Sequence, residues 1–357
     1  MKRFVLSIAA LGLCFTLGAQ VPLRPEVDIN FQTHFLNDEF DVSGCELNPS
    51  GTLAAVRLAP YAGITIGEHH KVKVGMDVVK DFGIGTDKPI VDLACWYQYN
   101  NEGFTFAAGV LPFGLMSGYY STAIFSDAAR FYDAHLDGFL LKWERELSHY
   151  EIALDWCGKF GEDRREEFYF LSSGAGWVTP WLGLCWEGVF HHLACSENAA
   201  GVFDDHLLHP YVRFEFSHFL PVMERMELSL GGMVGYQMDR LQNLRYIPKG
   251  ADAVVDIRKW GFGVRNLFYY GDSQAPLYDK TAVGDALYFR APWWQIRKDG
   301  EAGIYDRLDF YWMKSLGKYV DVGVHAVFHF DYLGIMGSQQ LVQANFSLEG
   351  LFNKKKD

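Results

Sequence analysis

The sequence predicts an all-β fold, a single antiparallel β-barrel that spans a membrane. Three observations predict it. Apolar and polar residues alternate over long segments, the chain is 16% aromatic with 36 glycines, and no long apolar run follows the first residues. A membrane helix needs about 20 consecutive apolar residues. In a barrel, lumen-facing polar residues dilute the lipid-facing ones, which agrees with the mean hydropathy of −0.04.

The start of the chain has the features of a secretory signal peptide. Lys2 and Arg3 give a positive start, residues 4–17 are mostly apolar, and Ala19 is a small residue suited to cleavage. The apolar stretch is too short for a lasting membrane helix. We therefore expect a signal peptide at 1–19 and one barrel domain at 20–357.

Period-two alternation is clearest near the end of the chain. Over residues 319–332 one face is apolar and the other is mostly polar, the apolar face being Val320, Val322, Val324, Ala326, Phe328, Phe330 and Tyr332. Such alternation indicates a strand and not a helix. Similar patterns occur in residues 27–35, 71–78, 139–144, 211–216, 226–237, 304–312 and 342–352.

Alternation alone also fits a soluble β-sandwich, which has one apolar and one polar face. Several segments extend over ten or more residues, however, and soluble strands average about five or six. Short and long connections also alternate, as in membrane barrels. The long ones are Leu36–Ser50, Lys80–Lys88, Leu111–His135 and Asp272–Gly303, and the short ones are Gly67–His70, Tyr99–Gly103, Arg145–His149 and Ser315–Lys318.

The strand count requires one correction to a simple segmentation, which gives an odd number, fifteen. A barrel with both chain ends on the periplasmic side needs an even number. Dividing Ala251–Tyr270 into two strands, with a tight turn near Lys259–Gly261, gives sixteen strands. Sixteen is the prediction, with fourteen as the alternative.

These features together resemble Gram-negative outer-membrane β-barrel proteins of the porin-like kind. The resemblance covers the whole mature chain and concerns architecture: the signal, the alternating strands, the aromatic residues at strand ends and a final strand that reaches Phe352. It implies localisation in the cell outer membrane and contact with outer-membrane lipid. It matches no catalytic or binding motif.

The polar face predicts a lumen lined by charges of both signs. In a barrel of about sixteen strands such residues stay hydrated, and they either set the selectivity of a channel or pair across strands and brace the wall. The candidate lumen-lining residues are Arg57, Lys73, Asp77, Lys142, Glu144, Arg213, Glu215, Arg265, Arg307, Asp309, His325 and His329.

No metal or cofactor site is expected. His325 and His329 are four residues apart, which on a strand is roughly 13 Å and too far for one ion. The five cysteines beyond the signal form no Cys-x-x-Cys pair, so they predict neither a zinc site nor a disulfide framework.

Enzyme chemistry has two weak candidates. Gly271-Asp272-Ser273 resembles an esterase nucleophile block but lacks the Asp-x-x-His base, and a turn explains it. Asp204, Asp205, His206 and His209 form the densest cluster of potential catalytic residues. We expect a hydrated loop there and not a hydrolase.

Three functions remain in order of preference. The first is a channel for small polar solutes, the second a closed barrel that serves as an anchor or partner-binding platform, and the third an outer-membrane hydrolase. The excess of 44 acidic over 32 basic residues disfavours nucleic acid. Homo-oligomers and a surface partner bound through the outer loops stay open, as does whether the aromatic loops 111–135 and 272–303 fold inward or pack as a cap.

Overall fold

The structure is a computed structural model, and it describes residues 21–40, 50–83, 88–274, 290–294 and 302–351. The expected signal peptide, Phe352 and most of the 272–303 loop lie outside the described residues. The strands are β1 Leu23–Glu39, β2 Gly51–Ile66, β3 His70–Asp81, β4 Ile90–Asn101, β5 Phe104–Pro112, β6 His135–Arg145, β7 Ser148–Gly158, β8 Glu167–Thr179, β9 Leu182–Leu193, β10 Phe203–Glu215, β11 Arg225–Asp239, β12 Leu244–Tyr246, β13 Lys249–Lys259, β14 Phe262–Gly271, β15 Gly303–Leu316, β16 Val320–Asp331 and β17 Gly334–Leu351. One α-helix, α1, spans Asp127–Tyr132, and 3-10 turns span Phe113–Leu115, Phe216–His218 and Pro292–Trp294.

The strands close into a barrel. β1 pairs antiparallel with both β2 and β17, so that Phe31 lies between Leu58 and Phe346. Every other long strand pairs with its neighbours in the sequence, and the three-residue β12 attaches to the end of β11. Sixteen long strands therefore form the wall, which confirms the predicted fold class and strand number.

The turn that brings the count to sixteen lies at the predicted place. β13 and β14 are joined by Trp260 and Gly261, which have φ angles of 55° and 80°. Two successive residues with positive φ make the type I′ hairpin that suits the twist of paired strands. Only two residues separate the two strands, so no loop of polar residues marks the division in the sequence.

Long and short connections lie at opposite ends of the barrel, with two exceptions. The long-loop end carries 40–50, 82–89, 113–134, 159–166, 194–202, 240–248 and 272–302. The other end, the short-turn end, holds turns of two or three residues and both termini of the barrel. The exceptions are the 216–224 connection at the short-turn end and the 332–333 turn at the long-loop end.

The outer surface is apolar, and polar residues point inward. On β3, Val72, Val74 and Met76 are 42–57% exposed, whereas Asp77 is 3% exposed. Aromatic residues such as Trp143, Trp260 and others near strand ends are also exposed on the outside, as rings at a membrane interface would be. Among the described residues no helix is long and apolar enough to cross a membrane.

The interior of the barrel contains a packed apolar cluster. Its wall side includes Trp96, Leu140 and Leu171, each 3% exposed or less. Its other side comes from the connection 113–134, which contributes Ile124 and Phe125. This connection therefore folds into the lumen, one of the two arrangements that the sequence left open.

Candidate functional site

The candidate site is built around the connection between β5 and β6, residues 113–134, which we call the inner segment. It contains the 3-10 turn Phe113–Leu115 and α1. The Ser126 hydroxyl caps α1 by accepting the backbone N–H of Ala129 at 3.2 Å. The segment therefore carries its own short regular elements into the lumen.

Two buried carboxylates on the wall hold the inner segment. Glu151 on β7 accepts the backbone N–H groups of Ser117 and Gly118 at 2.8 and 2.9 Å, and the hydroxyl of Tyr120 at 3.0 Å. Glu187 on β9 accepts the backbone N–H of Ser121 at 2.5 Å. Hydrogen bonds to charged acceptors are about twice as strong as neutral ones, so these carboxylates fix the depth of the segment in the barrel.

Gly118 permits this close approach. A Cβ atom at position 118 would lie 2.5 Å from the Cβ of Ser173 and nearer still to the Glu151 carboxylate. Any other residue would therefore push the segment away from β7 and β8.

Glu187 is part of a buried charged chain. His209 on β10 lies between Glu187, at 2.7 Å, and Asp252 on β13, at 2.8 Å. All three side chains are 6% exposed or less. Gly231 provides the space, because a Cβ there would overlap the His209 ring. The chain links three strands of the wall to the anchor of the inner segment.

On its far side the inner segment contacts the opposite wall. The ring of Phe131 stacks on His34 of β1 with centroids 4.6 Å apart. The guanidinium of Arg265 on β14 lies over the ring of Tyr119, 5.0 Å from its centroid, and donates to its hydroxyl. The segment therefore crosses the lumen from β7–β9 to β1 and β14.

Residues 290–294, which we call the aromatic segment, pack on the inner segment. Ala291 N–H donates to the carbonyl of Thr122 at 3.0 Å, and the indole of Trp294 donates to the Thr122 hydroxyl at 3.1 Å. Arg290 forms a buried ion pair with Asp205 at 2.9 Å. Trp293 and Trp294 are 3% and 0% exposed. The part of the long loop that the structure describes therefore also lies within the barrel.

A cavity of about 480 Å³ remains between the inner segment and the wall formed by β14–β17 and β1. Most of the residues that line it are polar or charged. Arg265, Arg307, Asp309 and His325 come from the wall, and Asp127 and Arg130 come from α1. Arg307 lies 3.8 Å from Asp309 and 4.0 Å from Asp127, while His325 contacts Asp309 at 3.1 Å.

The structure thus brings together four of the twelve candidate residues, Arg265, Arg307, Asp309 and His325, at this cavity. All twelve occupy the inward-facing positions of their strands. The other eight do not reach the cavity and fall into two groups.

The first group contacts neighbouring polar side chains of the inner wall, either along β1–β3 or near the long-loop end. It comprises Arg57, Lys73, Asp77 and His329. Arg57 and Asp77 form an ion pair with both side chains nearly buried, and Lys73 pairs with Asp28 and, at 3.3 Å, with Glu26. His329 is fully buried between Tyr305, at 2.9 Å, and Gln339, at 2.8 Å. The prediction that His329 is hydrated is therefore wrong, because aromatic residues enclose its ring.

The other group lies toward the short-turn end. Lys142 contacts Glu144 at 3.2 Å and the Ser117 hydroxyl at 2.8 Å. Arg213 pairs with Glu227 at 3.0 Å, and Glu215 accepts the Ser217 hydroxyl. Lys142 and Glu144 therefore contact the inner segment as well as each other.

The cluster Asp204, Asp205, His206 and His209 does not form one site. Strand alternation places Asp205 and His209 inside the barrel and Asp204 and His206 on its outer surface. Catalysis by His206 and His209 together is excluded by this geometry. No group of three or more potential metal ligands occurs among the described residues.

Several important residues were missing from the sequence prediction. Glu151 and Tyr119 were not among the candidates, although Glu151 lies on the same inward-facing alternation as Asp155. That alternation was the available signal for Glu151. Nothing in the local sequence indicates that Tyr119 reaches β14.

Burial also changes the acidity of two groups in the inner segment. Burial, and then the neighbouring carboxylates Asp155, Asp137 and Asp92, raise the pKa of Asp133 to about 7. Burial, and then Glu151, raise the pKa of the Tyr120 hydroxyl. Tyr120 therefore keeps its proton and serves as the donor to Glu151.

Comparison with known proteins identifies the fold. No protein-family model matches the sequence, and no curated protein matches it. Among solved structures, the chain is similar to a loop L8 deletion mutant of OmpT, an outer membrane protein of Vibrio cholerae. The TM-score is 0.56 at 8% identity, over 91% of this chain and 99% of that one. It is also similar to OccAB3 of Acinetobacter baumannii, with a TM-score of 0.50 at 9% identity, over 91% and 99%.

The architecture is that of outer-membrane β-barrels, which confirms the resemblance found in the sequence. The chain's own outer surface agrees, because its exposed side is an apolar belt with aromatic residues near both ends. The chain therefore has the fold of an outer-membrane β-barrel, as expected.

Proposed function

We propose that the protein is a non-enzymatic outer-membrane channel for small polar solutes, with the inner segment as its constriction. The observation that carries the proposal is the polar cavity left between the inner segment and β14–β17 and β1. Closed barrels of about sixteen strands are wide enough to hold an aqueous path. An inner segment that crosses the lumen and leaves this cavity beside it narrows such a path without filling it.

The lining of the cavity suits a polar solute. The wall contributes amide and hydroxyl side chains to it, among them Gln32, Thr33 and Gln343. Such groups donate and accept hydrogen bonds, so they can bind water or a polar solute in the cavity.

The charges favour a narrow and weakly selective path. Arg265, Arg307 and Arg130 line the same cavity as Asp127, Asp309 and Asp321. Equal numbers of the two signs give little net preference. Among the described residues Arg307 is paired with carboxylates, whereas no carboxylate lies within ion-pair distance of Arg265 or Arg130, so these two cations are the ones most able to attract an anion.

The second candidate is a closed barrel that serves as an anchor or partner-binding platform. The packing near the long-loop end favours it. Trp293 lies against Phe40 and His329, and Trp294 lies against Tyr269 and Tyr305, with all of these side chains 3% exposed or less. In that case the described interior would be a core and not a path.

Conductance in a planar bilayer distinguishes the two candidates. A channel should give small, well-defined current steps, and Arg265→Ala should shift the reversal potential in a salt gradient toward cation selectivity. Arg145→Ala is the matched control, because Arg145 shares the outward face of β6 with Trp143. A sealed bilayer at all voltages would reject the channel and leave the closed barrel.

We also propose that residues 1–19 are removed on export and that residues 20–357 form the single barrel domain. Amino-terminal sequencing of protein purified from membranes should then begin near Gln20. A start at Met1 would contradict this proposal.

A further inference from the structure

A cluster of charged residues lies on the outside of the barrel near the long-loop end. Asp204 on β10 points outward, yet its side chain is only 7% exposed. One carboxylate oxygen contacts Nδ1 of His192 at 2.7 Å, and the other accepts the guanidinium of Arg240 at 2.7 Å. A buried carboxylate therefore orients two cationic or polar side chains on a surface that is mostly apolar.

The cluster continues sideways across the sheet. Strand register places Phe168, His192, Asp204, Met238 and Arg245 side by side at one height. Arg240 and Arg245 are exposed. Because the connecting loops follow directly, this row lies where the barrel leaves the hydrocarbon.

The next row toward the middle of the barrel is aromatic. It comprises Phe170, Phe190, His206 and Tyr236 in register. The rings of His206 and Tyr236 stack with centroids 5.7 Å apart, and the Arg245 guanidinium lies over Tyr236. Beyond it are Leu208 and Val234, 53% and 47% exposed. The surface thus changes from apolar to aromatic to charged over three rows.

A groove of about 370 Å³ connects the aromatic and charged rows. Its lining is Phe168, Phe170, Phe190, His192, Asp204 and His206. Phenylalanine rings there can contact an acyl chain, and the cations above can contact an anionic group attached to it.

We propose that this outer groove binds an anionic phosphorylated lipid of the surrounding membrane, with Arg240 and His192 contacting the phosphate and the phenylalanines contacting the acyl chain. Charge complementarity selects this occupant. Arg240 has its orientation set by Asp204 and keeps a half-exposed guanidinium, which suits bidentate contact with a phosphate. Asp204 is a positioning residue in this site.

A simpler explanation is that any surface cation near a headgroup attracts anionic lipid. Asp204→Asn separates the two explanations because they predict opposite effects. If the attraction is only electrostatic, removal of one negative charge should strengthen the binding of an anionic lipid. If the groove is a specific site, loss of the group that orients His192 and Arg240 should weaken that binding.

Native mass spectrometry of the full-length mature protein in detergent can measure this binding, with phosphatidylglycerol and phosphatidylcholine of identical acyl chains as probes. We expect the unmodified protein to retain phosphatidylglycerol in preference to phosphatidylcholine. Arg240→Ala should retain phosphatidylglycerol about tenfold more weakly, which is the scale of one charge-assisted hydrogen-bond contact. Asp204→Asn should also retain it more weakly. Arg145→Ala should retain it like the unmodified protein. Arg240 is 54% exposed at its side chain, so its variant should fold even if Asp204→Asn does not.

Three results would overturn the proposal. They are equal retention of the two lipids, stronger retention by Asp204→Asn, or equal losses in Arg240→Ala and Arg145→Ala. Displacement of phosphatidylglycerol by millimolar inorganic phosphate would show that free phosphate alone is the ligand and would reject a lipid site. The groove lies outside the lumen, so conductance should be unchanged in Arg240→Ala whichever result is obtained.

Discussion

The carboxylate of Glu151 on β7 accepts the backbone N–H of Gly118 at 2.9 Å, which joins the wall of the barrel to the inner segment. The same carboxylate also holds Ser117 and Tyr120. Three hydrogen bonds on one buried group make it the principal anchor of the segment. The position of the segment therefore depends on a wall residue and not on the loop sequence alone.

Glu151→Ala should release the inner segment. Three hydrogen bonds to a carboxylate are lost, each with a net contribution of about 1.5–3 kcal/mol in isolation, although the sum is smaller because they are not additive. We expect larger and noisier single-channel conductance, measured in planar bilayers. Glu215→Ala is the control, since its described bond is to Ser217. Unchanged conductance in Glu151→Ala would contradict the anchor role.

Gly118→Ala tests the contact between the inner segment and Glu151 by reducing the space available for it. The added methyl group would overlap Ser173 and the Glu151 carboxylate, so the segment must shift. Gly114→Ala is a matched control in the same segment, because a Cβ there meets no atom within 4 Å. Protease cleavage of the folded barrel should become faster in Gly118→Ala and stay unchanged in Gly114→Ala. Equal cleavage rates in the two variants would show that the close contact is unimportant.

Arg57→Ala should destabilise the barrel strongly. It leaves the Asp77 carboxylate buried and without its guanidinium partner, a change that typically costs about 3–5 kcal/mol. Lys71→Ala is the control, because the Lys71 side chain is 31% exposed and lies 3.4 Å from Glu26, and such pairs contribute about 0–1 kcal/mol. Urea unfolding in detergent measures both. A free energy of unfolding that falls equally in the two variants would argue against the importance of the buried pair.

The wall of the barrel was predictable from the sequence, and the contents of the lumen were not. Alternation along β16 and β3 is a local property, so the strand faces follow from the residue order. The contact of Arg265 with Tyr119 joins residues far apart in the sequence, and no local pattern specifies it. Polar residues such as His329 looked like lumen residues, but they became core residues once the aromatic segment covered them.

Asp133 should make the stability of the barrel depend on pH. Burial and repulsion by Asp155, Asp137 and Asp92 raise its pKa from 3.8 to about 7, and an amide hydrogen bond from His135 partly opposes this. Because the folded-state pKa is the higher one, the contribution to stability is complete below pH of about 4 and is lost as the pH rises through about 7.

Thermal unfolding in detergent at pH 5 and pH 8 tests this prediction. The midpoint temperature of the unmodified protein should be lower at pH 8 than at pH 5. This difference should be smaller in Asp133→Asn, whose side chain is neutral at both pH values. Asp163→Asn, in the exposed 159–166 loop, should keep the full pH dependence. If Asp133→Asn keeps it as well, the buried carboxyl of the inner segment is not the group that titrates.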